Sequence, residues 1–454
     1  MEAHVTAPIA AIILAAGKGT RMKSDIHKVL HPIAGRPMLL HLIDSVAALD
    51  PARTVIVVGA GREQVEAAVA PHGAETAHQA DQLGTGHAVL QAEAGLAGFE
   101  GDVLILYGDV PLVSTATMRR MLERLHGNDN PAVVVLGFRP LDPGAYGRVI
   151  ADPSGRIVKM VEFKDANAEE RAETLCNSGL MAARSSDLFA LLARVGNANA
   201  AGEYYLVDIV NIAAADGRPS AVIETDAHEV SGVNSRGELA ALEREWQHAR
   251  RARAMADGVT LIAPETVWFA YDTAIGRDVT IEPNVVFGPG VEIADQVTIH
   301  AFSHIEGAKI ATGVSVGPYA RLRPGAVLEE GSRVGNFVEM KKAVLGKGAK
   351  ANHLTYLGDA KVGAGANIGA GTITCNYNGY LKSETVIGAG AFIGSNSALV
   401  APVKIGDGAI IGAGSVVTED VEADALALTR AKQEAKPGWA KRFREMMQAR
   451  KAAK

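Results

Sequence analysis

The chain has 454 residues and a net charge of −6 at neutral pH; 48% of its residues are hydrophobic and 21% are charged. This composition is typical of a folded globular protein, which argues against a disordered or fibrous chain, and the length suggests about three structural units. The net charge gives no general attraction to nucleic acid or to an anionic membrane, so we expect no nucleic-acid partner and any anionic ligand only at a local site.

Cysteine usage and hydropathy indicate a cytoplasmic protein. Cys176 and Cys375 lie far apart and have no neighbours with metal-ligand spacing, which argues against a disulfide framework and a zinc site. The N-terminus lacks the basic region of a signal peptide. The uncharged runs 362–381 and 385–403 are interrupted by glycine and asparagine, so we expect no membrane insertion.

The first half of the chain predicts a doubly wound α/β domain of the Rossmann-like kind. Four short apolar runs, separated by segments of helix length, occupy residues 9–17, 54–60, 102–109 and 131–138. Such runs are typical of buried strands in a mostly parallel sheet. We expect this domain to end near residue 235.

The loop after the first run, "LAAGKGTRM" at residues 14–22, is a candidate phosphate site. A glycine-rich loop between a strand and a helix presents backbone N–H groups to an anion. Its spacing matches neither G-x-x-x-x-G-K-[ST] nor G-x-G-x-x-G. The string "GKGT" by itself is at least as typical of an ordinary strand-to-helix turn.

Residues 236–258 have charges and leucines at helical spacing and close on Gly258, which predicts a linking helix. Beyond it, an aliphatic or aromatic residue recurs at every sixth position. The series is Ile275, Ile281, Phe287, Ile293, Ile299 and Ile305, then Ile310, Val316, Leu322, Leu328 and Val334, then Val362 and Ile368, and finally Ile387, Ile393, Leu399, Ile405, Ile411 and Val417.

This hexapeptide period predicts a parallel β-helix, in which three short strands form one triangular coil and the sixth-position side chains stack inside. Coils of about 18 residues give about eight of them between residues 275 and 417. A glycine-rich loop region would instead scatter its apolar residues. The period breaks in the polar, glycine-containing segment "CNYNGYLKSET" (375–385), which we expect to loop outward from the coil.

Several strings in both halves carry a family resemblance. They include "LAAGKGTRM", "QLGTGHA" (82–88), "LYGDVPL" (106–112), "VGNFVEMKKA" (334–343), "HLTYLGDA" (353–360) and "NIGAGTITCNY" (367–377). From about residue 8 to about residue 440 the chain resembles the GlmU family. These bifunctional bacterial enzymes combine UDP-N-acetylglucosamine pyrophosphorylase with glucosamine-1-phosphate N-acetyltransferase.

The resemblance implies three segments: a uridylyltransferase domain at 1–235, the linking helix at 236–258, and a left-handed β-helix acetyltransferase domain with a C-terminal tail at 259–454. It implies acetylation of glucosamine 1-phosphate by acetyl-CoA. Uridylyl transfer from UTP to the resulting N-acetylglucosamine 1-phosphate then gives UDP-N-acetylglucosamine, a precursor of peptidoglycan and lipopolysaccharide, and pyrophosphate. It also implies Mg²⁺ as the cofactor and a homotrimer.

A metal site is expected at Asp109, which ends a predicted strand at the edge where open α/β sheets bind ligands. Its carboxylate suits Mg²⁺, and the resemblance supplies Asn234 as the second ligand. Arg21 and Lys28 can stabilise charge on transferred phosphates, although without the motif they are more typical of solvated loop cations.

The resemblance assigns UDP-N-acetylglucosamine binding to a larger set. In chain order it is Leu14, Ala15, Ala16, Gly17, Lys28, Gln79, Gly84, Thr85, Tyr107, Gly108, Asp109, Gly147, Glu162, Asn177 and Asn234. Within this set Gln79, Gly84 and Thr85 face the uracil, while Gly147, Glu162 and Asn177 face the sugar. Two positions depart from the family pattern: His27 stands where proline is common, and Phe163 where a polar residue is frequent.

His353 is the candidate base of acetyl transfer, because the ammonium of the acceptor must lose a proton and imidazole titrates near neutrality. A histidine in a repeat is more often a packing or surface residue, but the motif "HLTYLGDA" favours the catalytic role. Cys375 has no evident basic partner, so we expect direct attack by the amine.

The resemblance implies that Glu339 orients His353. It assigns the sugar phosphate to Arg323, Lys341, Tyr356 and Asn367, and acetyl-CoA to Ala370, Asn376, Tyr377, Ser395, Ala413 and Arg430. In a trimer, the segment with Asn376 and Tyr377 would be placed to close the acetyl-transfer site of a neighbour.

Two alternatives remain open at this point. One is a nucleotidyltransferase with a single activity, whose β-helix only oligomerises or binds effectors; "HLTYLGDA" and "EMKK" argue against it. The other is a non-catalytic scaffold like the exchange subunits of eukaryotic initiation factors. The joint presence of Lys28, Asp109 and Asn234 argues against a scaffold, which needs no metal site.

Overall fold

A computed structural model describes residues 7–453 of the protein. The chain divides between Arg250 and Arg251 into two compact units. Among the described residues, no helix has both the length and the apolar composition needed to cross a membrane.

The first unit alternates strands and helices along the chain. Its strands are β1 (Ile9–Ala15), β2 (Pro32–Ile33), β3 (Arg36–Pro37), β4 (Arg53–Val58), β5 (Glu75–His78), β6 (Asp102–Tyr107), β7 (Val133–Phe138), β8 (Arg148–Ala151), β9 (Ile157–Val161), β10 (Cys176–Arg184) and β11 (Ala221–Thr225). The helices are α1 (Met38–Ala47), α2 (Arg62–Val69), α3 (Thr85–Leu90), α4 (Thr115–Leu125), α5 (Ala168–Ala172), α6 (Ser185–Leu192) and α7 (Asp208–Ala215). The predicted linking helix is α8 (Arg236–Ala256).

The main sheet has the strand order β11-β7-β10-β6-β1-β4-β5, with β8 and β9 attached at β10. The predicted strands are β1, β4, β6 and β7. All its pairs are parallel except those of β10 and the β8–β9 hairpin. Successive residues of β1 belong alternately to two buried apolar clusters, one on each face of the sheet. A sheet covered on both faces is the predicted doubly wound architecture.

The second unit consists almost entirely of very short strands. They are β12 (Thr260–Leu261), β13 (Ala274–Ile275), β14 (Thr280–Ile281), β15 (Val286–Phe287), β16 (Glu292–Ile293), β17 (Thr298–Ile299), β18 (His304–Ile305), β19 (Ala308–Ile310), β20 (Ser315–Val316), β21 (Arg321–Leu322), β22 (Ala326–Leu328), β23 (Arg333–Asn336), β24 (Glu339–Leu345), β25 (Lys350–His353), β26 (Tyr356–Val362), β27 (Asn367–Ile368), β28 (Ile373–Cys375), β29 (Thr385–Ile387), β30 (Phe392–Ile393), β31 (Ala398–Val400), β32 (Val403–Ile405), β33 (Ile410–Ile411), β34 (Val416–Val417) and β35 (Leu426–Ala427). A last helix, α9 (Trp439–Ala452), follows them.

These strands form the predicted parallel β-helix. One face is the series β12-β14-β17-β20-β23-β25-β27-β30-β33-β35, which gives eight rungs from β14 to β33. The predicted inward residues of the hexapeptide series are buried with at most 5% exposure, except Ile275, which is half-buried at the start of the series. The six-residue period therefore predicts both the strands of the β-helix wall and the apolar side chains that fill its interior.

The segment after Cys375 leaves this wall, as the break in the period predicts. Tyr377 and Lys382 form an isolated antiparallel bridge, and the side chains of Tyr380 and Leu381 are 91% and 70% exposed. On either side of the segment, β28 pairs with β31, while β29 pairs with β26 and β32. The coil thus continues past the segment without including it.

Two adjacent isoleucines in β33 test the inward stacking. Ile411 is fully buried and Ile410 is 48% exposed. We expect Ile411→Ala to lower the free energy of unfolding by about 2–5 kcal/mol, because it leaves a cavity in a closed stack. The matched control Ile410→Ala loses the same atoms from an exposed site. Equal losses in the two variants, measured by denaturant or thermal unfolding, would contradict the stacking.

Candidate active sites

Lys28 reaches the carboxyl edge of the first sheet because the loop after β1 passes close to it. Gly19 has φ of +58°, and a Cβ at this position would lie 2.5 Å from the Cβ of Lys28. Only glycine combines that left-handed backbone with such a close approach. The glycine-rich loop therefore places the lysine as well as presenting its own backbone.

The Lys28 ammonium lies between two oxygen atoms from distant parts of the chain. Its Nζ is 2.5 Å from Oδ2 of Asp109 and 3.3 Å from Oδ1 of Asn234. The side chains of Lys28 and Asp109 are only 13% and 17% exposed. The carboxylate and the amide oxygen therefore converge on one position that a cation occupies.

This oxygen pair fits a hard divalent cation, which prefers oxygen ligands and takes its remaining ligands from water and phosphate. No cluster of three or more His, Cys, Asp or Glu side chains that could hold a metal occurs among residues 7–453. A metal at Asp109 and Asn234 would accordingly depend on a bound substrate for the rest of its coordination.

A cavity of about 360 Å³ opens beside this cluster. Ten of the predicted residues line it: Leu14, Ala15, Ala16, Gly17, Lys28, Gln79, Gly84, Thr85, Tyr107 and Asp109. The lining also includes Val29, Gln82, Ala88 and Glu203, which the sequence did not single out. Of these, Gln82 donates from Nε2 to the carbonyl of Ala16 at 2.5 Å and so braces the loop.

Gln79, at the rim of this cavity, has its amide orientation fixed by two acceptors. Its side chain is 4% exposed, and its Nε2 lies 3.1 Å from the carbonyl of Gly84 and 3.1 Å from Nδ1 of His87. Since a carbonyl can only accept, Nε2 must face Gly84, and Oε1 is left as an acceptor. His87 stands in the motif "QLGTGHA" but was not among the predicted site residues.

The predicted sugar-side residues form a second group next to Tyr107. The N–H of Asn177 donates to the carbonyl of Gly147 at 2.9 Å, and a Cβ on Gly147 would lie 3.4 Å from Oε2 of Glu162. Burial, and then the negative charge of Asp165, raise the pKa of the Glu162 carboxyl. Burial and then Glu162 also raise the pKa of Tyr107.

Arg21 lies on a 3-10 turn (Thr20–Met22) with its side chain exposed, away from the cavity lining. Gly108 follows β6 directly and donates to the carbonyl of Leu14 at 2.9 Å. The structure thus joins the ends of β1 and β6 through Gly108 and leaves Arg21 on the loop surface.

The two departures from the family pattern have distinct surroundings. His27 is buried, and neither ring nitrogen has a hydrogen-bond partner among the described residues. Burial, and then the neighbouring Lys28 charge, lower the pKa of His27, which keeps a second positive charge away from Lys28. The ring of Phe163 lies between two guanidinium groups, those of Arg171 at 4.7 Å and Arg148 at 5.5 Å.

In the β-helix, His353 belongs to a column of equivalent positions on successive coils. The next residue in each coil donates its N–H to the carbonyl one coil earlier, which aligns the column at one corner. The column consists of Asn336, His353, Ala370, Ser395 and Ala413, and Arg430 of the tail donates to the carbonyl of Ala413. Predicted residues from separate motifs are thus brought into one line.

The partner of the imidazole differs from the expectation. Nδ1 of His353 lies 2.7 Å from Oδ1 of Asn336, whereas Glu339, predicted to orient His353, forms an ion pair with Arg323 at 2.8 Å. The reason is strand register: Asn336 is paired directly with His353, while Glu339 is paired with Tyr356 beyond the corner. With Nδ1–H donating to Asn336, Nε2 holds the free lone pair.

The predicted phosphate-binding residues lie beyond the same corner, except Asn367. Arg323 directly follows β21, Lys341 lies in β24 together with Glu339, and Tyr356 begins β26. These three strands pair side by side. The positive charge of Arg323, and then that of Lys382, lower the pKa of Lys341. Asn367 lies in β27 three residues before Ala370. Arg323 and Lys341 therefore place positive charges close together, and a bound anion would relieve the repulsion between them.

Asn376 and Tyr377 lie where the exposed segment leaves the wall. The amide Nδ2 of Asn376 donates to Oδ2 of Asp359 at 2.5 Å, and Asn376 is nearly buried while Tyr377 is 59% exposed. The base of the segment is therefore tied to the β-helix, and its tip is free to contact something else.

Large apolar side chains stack on the outside of the corner next to His353. Phe302, Tyr319, Phe337 and Leu354 are 47–62% exposed and all have a left-handed backbone. Ring centroids are 4.9 Å apart for Phe302 and Tyr319, and 5.2 Å apart for Tyr319 and Phe337. Bulky residues rarely adopt this backbone, so an exposed apolar column here points to a covering surface. We call these four residues the corner column.

Comparisons with known proteins define the class. The family model for the MobA-like NTP transferase domain matches residues 11–157, and that for the bacterial transferase hexapeptide (six repeats) matches residues 272–307 and 384–419. The protein is therefore a bifunctional transferase, with a nucleotidyltransferase domain followed by a left-handed β-helix of hexapeptide repeats.

Related proteins match almost the whole length of the chain. A bifunctional protein GlmU from Sphingopyxis alaskensis is 69% identical over 446 residues, covering 98% of each chain. Those from Rhizorhabdus wittichii and Novosphingobium aromaticivorans are each 70% identical, over 447 and 448 residues, covering 98% of this chain and 99% of theirs. The chain belongs to the GlmU family.

The raised pKa of Glu162 predicts a pH-dependent stability. A carboxyl whose pKa is higher in the folded state stabilises the fold below about pH 4, and this contribution is lost as the pH rises through the folded-state pKa. Glu162→Gln should therefore raise the melting temperature by a few degrees near neutral pH, and the gain should vanish in acid.

Glu169→Gln is the matched control, since Glu169 is exposed on α5. Scanning calorimetry from acid to neutral pH measures both variants. A Glu162→Gln gain that is the same at every pH, or absent throughout, would contradict the burial of an uncompensated carboxyl.

Proposed function

We propose that the protein makes UDP-N-acetylglucosamine on two sites. The β-helix acetylates glucosamine 1-phosphate with acetyl-CoA, and the first domain transfers uridylyl from UTP to the product and releases pyrophosphate. We assign the first activity to residues 259–454, the second to residues 1–235, and the link to residues 236–258. The observation that carries the proposal is the presence, in one chain, of both the Lys28–Asp109–Asn234 cluster and the Asn336–His353 pair.

In uridylyl transfer, a phosphate oxygen of N-acetylglucosamine 1-phosphate attacks the α-phosphorus of UTP, and pyrophosphate leaves. Such a reaction requires positioning and charge neutralisation more than covalent chemistry by the protein. Lys28 contributes positive charge at the cavity and Arg21 adds positive charge from the exposed loop surface, while the loop 14–17 contributes backbone donors to the phosphates. Asp109 and Asn234 would hold Mg²⁺, which when bound neutralises further phosphate charge.

Gln79 selects the base in this proposal. Its Nε2 is committed to Gly84 and His87, so Oε1 accepts from the N3–H of uracil. Cytosine has an acceptor at N3 and would leave Oε1 facing a lone pair. The sugar meets Gly147, Glu162 and Asn177 on the other side of Tyr107.

In acetyl transfer, His353 Nε2 takes a proton from the ammonium of glucosamine 1-phosphate. The amine then attacks the thioester carbonyl, the C–S bond breaks, and coenzyme A leaves as a thiol once it has been protonated. Asn336 fixes the tautomer and the ring orientation. Arg323, Lys341, Tyr356 and Asn367 hold the phosphate, where an anion relieves the repulsion between Arg323 and Lys341.

Acetyl-CoA lies along the corner in this proposal, between His353 and the tail. Ala370, Ser395 and Ala413 are small residues on successive coils, which leave room for an extended ligand, and Arg430 closes the line. Asn376 and Tyr377 approach from the exposed segment. The reacting thioester would then meet His353 at one end of the line.

We propose a homotrimer in the cytoplasm. The corner column adjoins His353 and is exposed in a single chain, so a neighbouring copy that covers it would also complete the acetyl-transfer site. The apolar tip of the segment after Cys375 fits the same role. Two free cysteines suit a reducing compartment.

The two active sites should be separable by mutation. Asp109→Ala removes a carboxylate from the phosphate-transfer site, so we expect pyrophosphate release to be lost and acetylation to persist. His353→Ala should do the reverse, with a loss of acetylation of about a hundredfold or more. Release of free thiol and of pyrophosphate is assayed separately for each variant. Uridylyl transfer at the normal rate in Asp109→Ala would refute the role of that cluster.

Asn336 provides a sharper test of the base. Asn336→Ala should lower kcat for acetylation about tenfold or more, because the imidazole loses its orientation. Asn336→Asp keeps an acceptor at Nδ1 but adds a negative charge, which stabilises the imidazolium form of the ring. The acidic limb of its pH–rate profile should therefore move to higher pH. Unchanged profiles in both variants would mean that Asn336 does not orient the base.

The proposed trimer depends on the corner column. Phe337→Asn removes a large ring, yet asparagine tolerates a left-handed backbone, and Asn284 and Asn396 occupy equivalent corners. We expect the variant to lose trimeric mass and acetylation while keeping uridylyl transfer. Val158→Asn, at an exposed site in the first unit, is the control. A trimeric, fully acetylating Phe337→Asn protein would contradict the assignment.

A further inference from the structure

The turn that carries Lys28 lies between two buried histidines. The 3-10 turn Lys28–Leu30 has His27 as its first cap and His31 as its last cap. The two residues are 7% and 1% exposed. Among the described residues, neither ring has a carboxylate as a hydrogen-bond partner. The turn is thus flanked by two titratable rings that have no counter-charge.

The ring of His27 packs between this turn and the start of α2. A Cβ on Gly61, the residue before α2, would lie 3.5 Å from Cδ2 of the ring, and both ring nitrogens are buried without a partner. The N–H of His27 donates to Oε1 of Gln64 at 2.9 Å, and Nε2 of Gln64 donates to the carbonyl of Asp25 at 2.9 Å. A neutral side chain of α2 therefore holds the main chain just before Lys28.

The charges that bear on the two rings disfavour their protonated forms. Burial, then Lys28 and then His31 lower the pKa of His27. Nδ1 of His31 lies 3.3 Å from Nη1 of Arg236, and this nitrogen must accept because a guanidinium can only donate. Burial and then Arg236 lower the pKa of His31, against a main-chain hydrogen bond with Ile26. A proton on either ring would therefore be buried beside a cation.

Protonation of His27 would open the turn rather than unfold the domain. A buried charge without a counter-charge or hydrogen bonds is costly, and a segment held by few hydrogen bonds opens at least cost. Within the turn, the N–H of Leu30 donates to the carbonyl of His27 at 2.9 Å, and that of His31 to the carbonyl of Lys28 at 3.3 Å. Strand β1, by contrast, is paired on both sides and buried.

We propose that His27 is a positioning residue for Lys28 and makes the turn an acid-sensitive switch of uridylyl transfer. With a neutral imidazole the turn is closed, and the Lys28 ammonium lies at Asp109. A proton on His27 moves the ring into solvent, opens the turn and withdraws the ammonium from the phosphate-transfer site. The closed form is complete above about pH 6.5 and is lost as the pH falls through the lower folded-state pKa. This inference rests on the proposed role of Lys28.

The pH profile of uridylyl transfer tests the switch, with UTP, Mg²⁺ and N-acetylglucosamine 1-phosphate supplied directly. His27→Leu keeps the N–H bond to Gln64 and fills the buried site, but it cannot take a proton. Relative to this variant, kcat/KM of the wild-type protein should fall about tenfold for each pH unit below the titration of His27, and it should recover on return to neutral pH.

Protonation of the substrate phosphates affects both proteins equally, so the difference between them isolates His27. His72→Leu, which removes an exposed histidine of the same unit, is the matched control and should follow the wild-type profile. Coincident profiles of the wild-type and His27→Leu proteins would overturn the proposal.

Hydrogen exchange followed by mass spectrometry tests the opening itself and needs no variant. In acid, after correction for the intrinsic exchange rate, the amides of residues 26–31 should lose protection about tenfold or more while those of β1 keep theirs. Unchanged protection at 26–31, or an equal loss in β1, would overturn the switch. Lys28→Gln separates this inference from the proposed function: normal uridylyl transfer in that variant would refute the role of Lys28, while the exchange result still decides whether the turn opens.

Discussion

In-register parallel pairing of short buried strands is the constraint on which both units depend. In the first unit it brings the ends of β1 and β6 to one edge, where Gly108 bonds to Leu14 and Asp109 meets Lys28. In the β-helix the same pairing repeats at every coil and aligns residues about 17 or more positions apart at a single corner. Each unit thus acquires a site at strand ends.

Charge is arranged differently at the two sites. In the first unit a single ammonium is held between two oxygens in a nearly closed position, and the neighbouring His27 stays neutral through burial. At the β-helix corner, Arg323 and Lys341 stand close enough to repel each other in a solvated position. The first arrangement suits a cation shared with a polyphosphate, whereas the second suits a sugar phosphate arriving from solvent.

Much of the fold could be predicted from the sequence, because it follows from periodicity. The six-residue series required only that inward side chains be apolar, and burial of Ile299, Leu322 and Ile411 follows that rule. The strands β1, β4, β6 and β7 were evident as apolar runs. The antiparallel insertion of β10 was not, since a buried strand has the same composition in either direction.

The finer parts of the sites could not be predicted because they depend on register. Whether Asn336 or Glu339 contacts His353 is decided by how one coil pairs with the next, and the series has a gap between Val334 and Val362 that leaves this pairing open from sequence alone. His87 was missed for a similar reason: its contact with Gln79 arises from a turn at Gly84. In both cases a motif contained the residue, but only geometry gave it a partner.

If one chain carries out the two reactions in sequence, the purified protein alone must form both products. The purified protein is incubated with glucosamine 1-phosphate, acetyl-CoA, UTP and Mg²⁺, while free thiol and pyrophosphate are followed together. We expect that both appear, that pyrophosphate lags behind thiol, and that omitting acetyl-CoA suppresses pyrophosphate release. Pyrophosphate formed without a lag and at the same rate in the absence of acetyl-CoA, or thiol release without pyrophosphate, would contradict it.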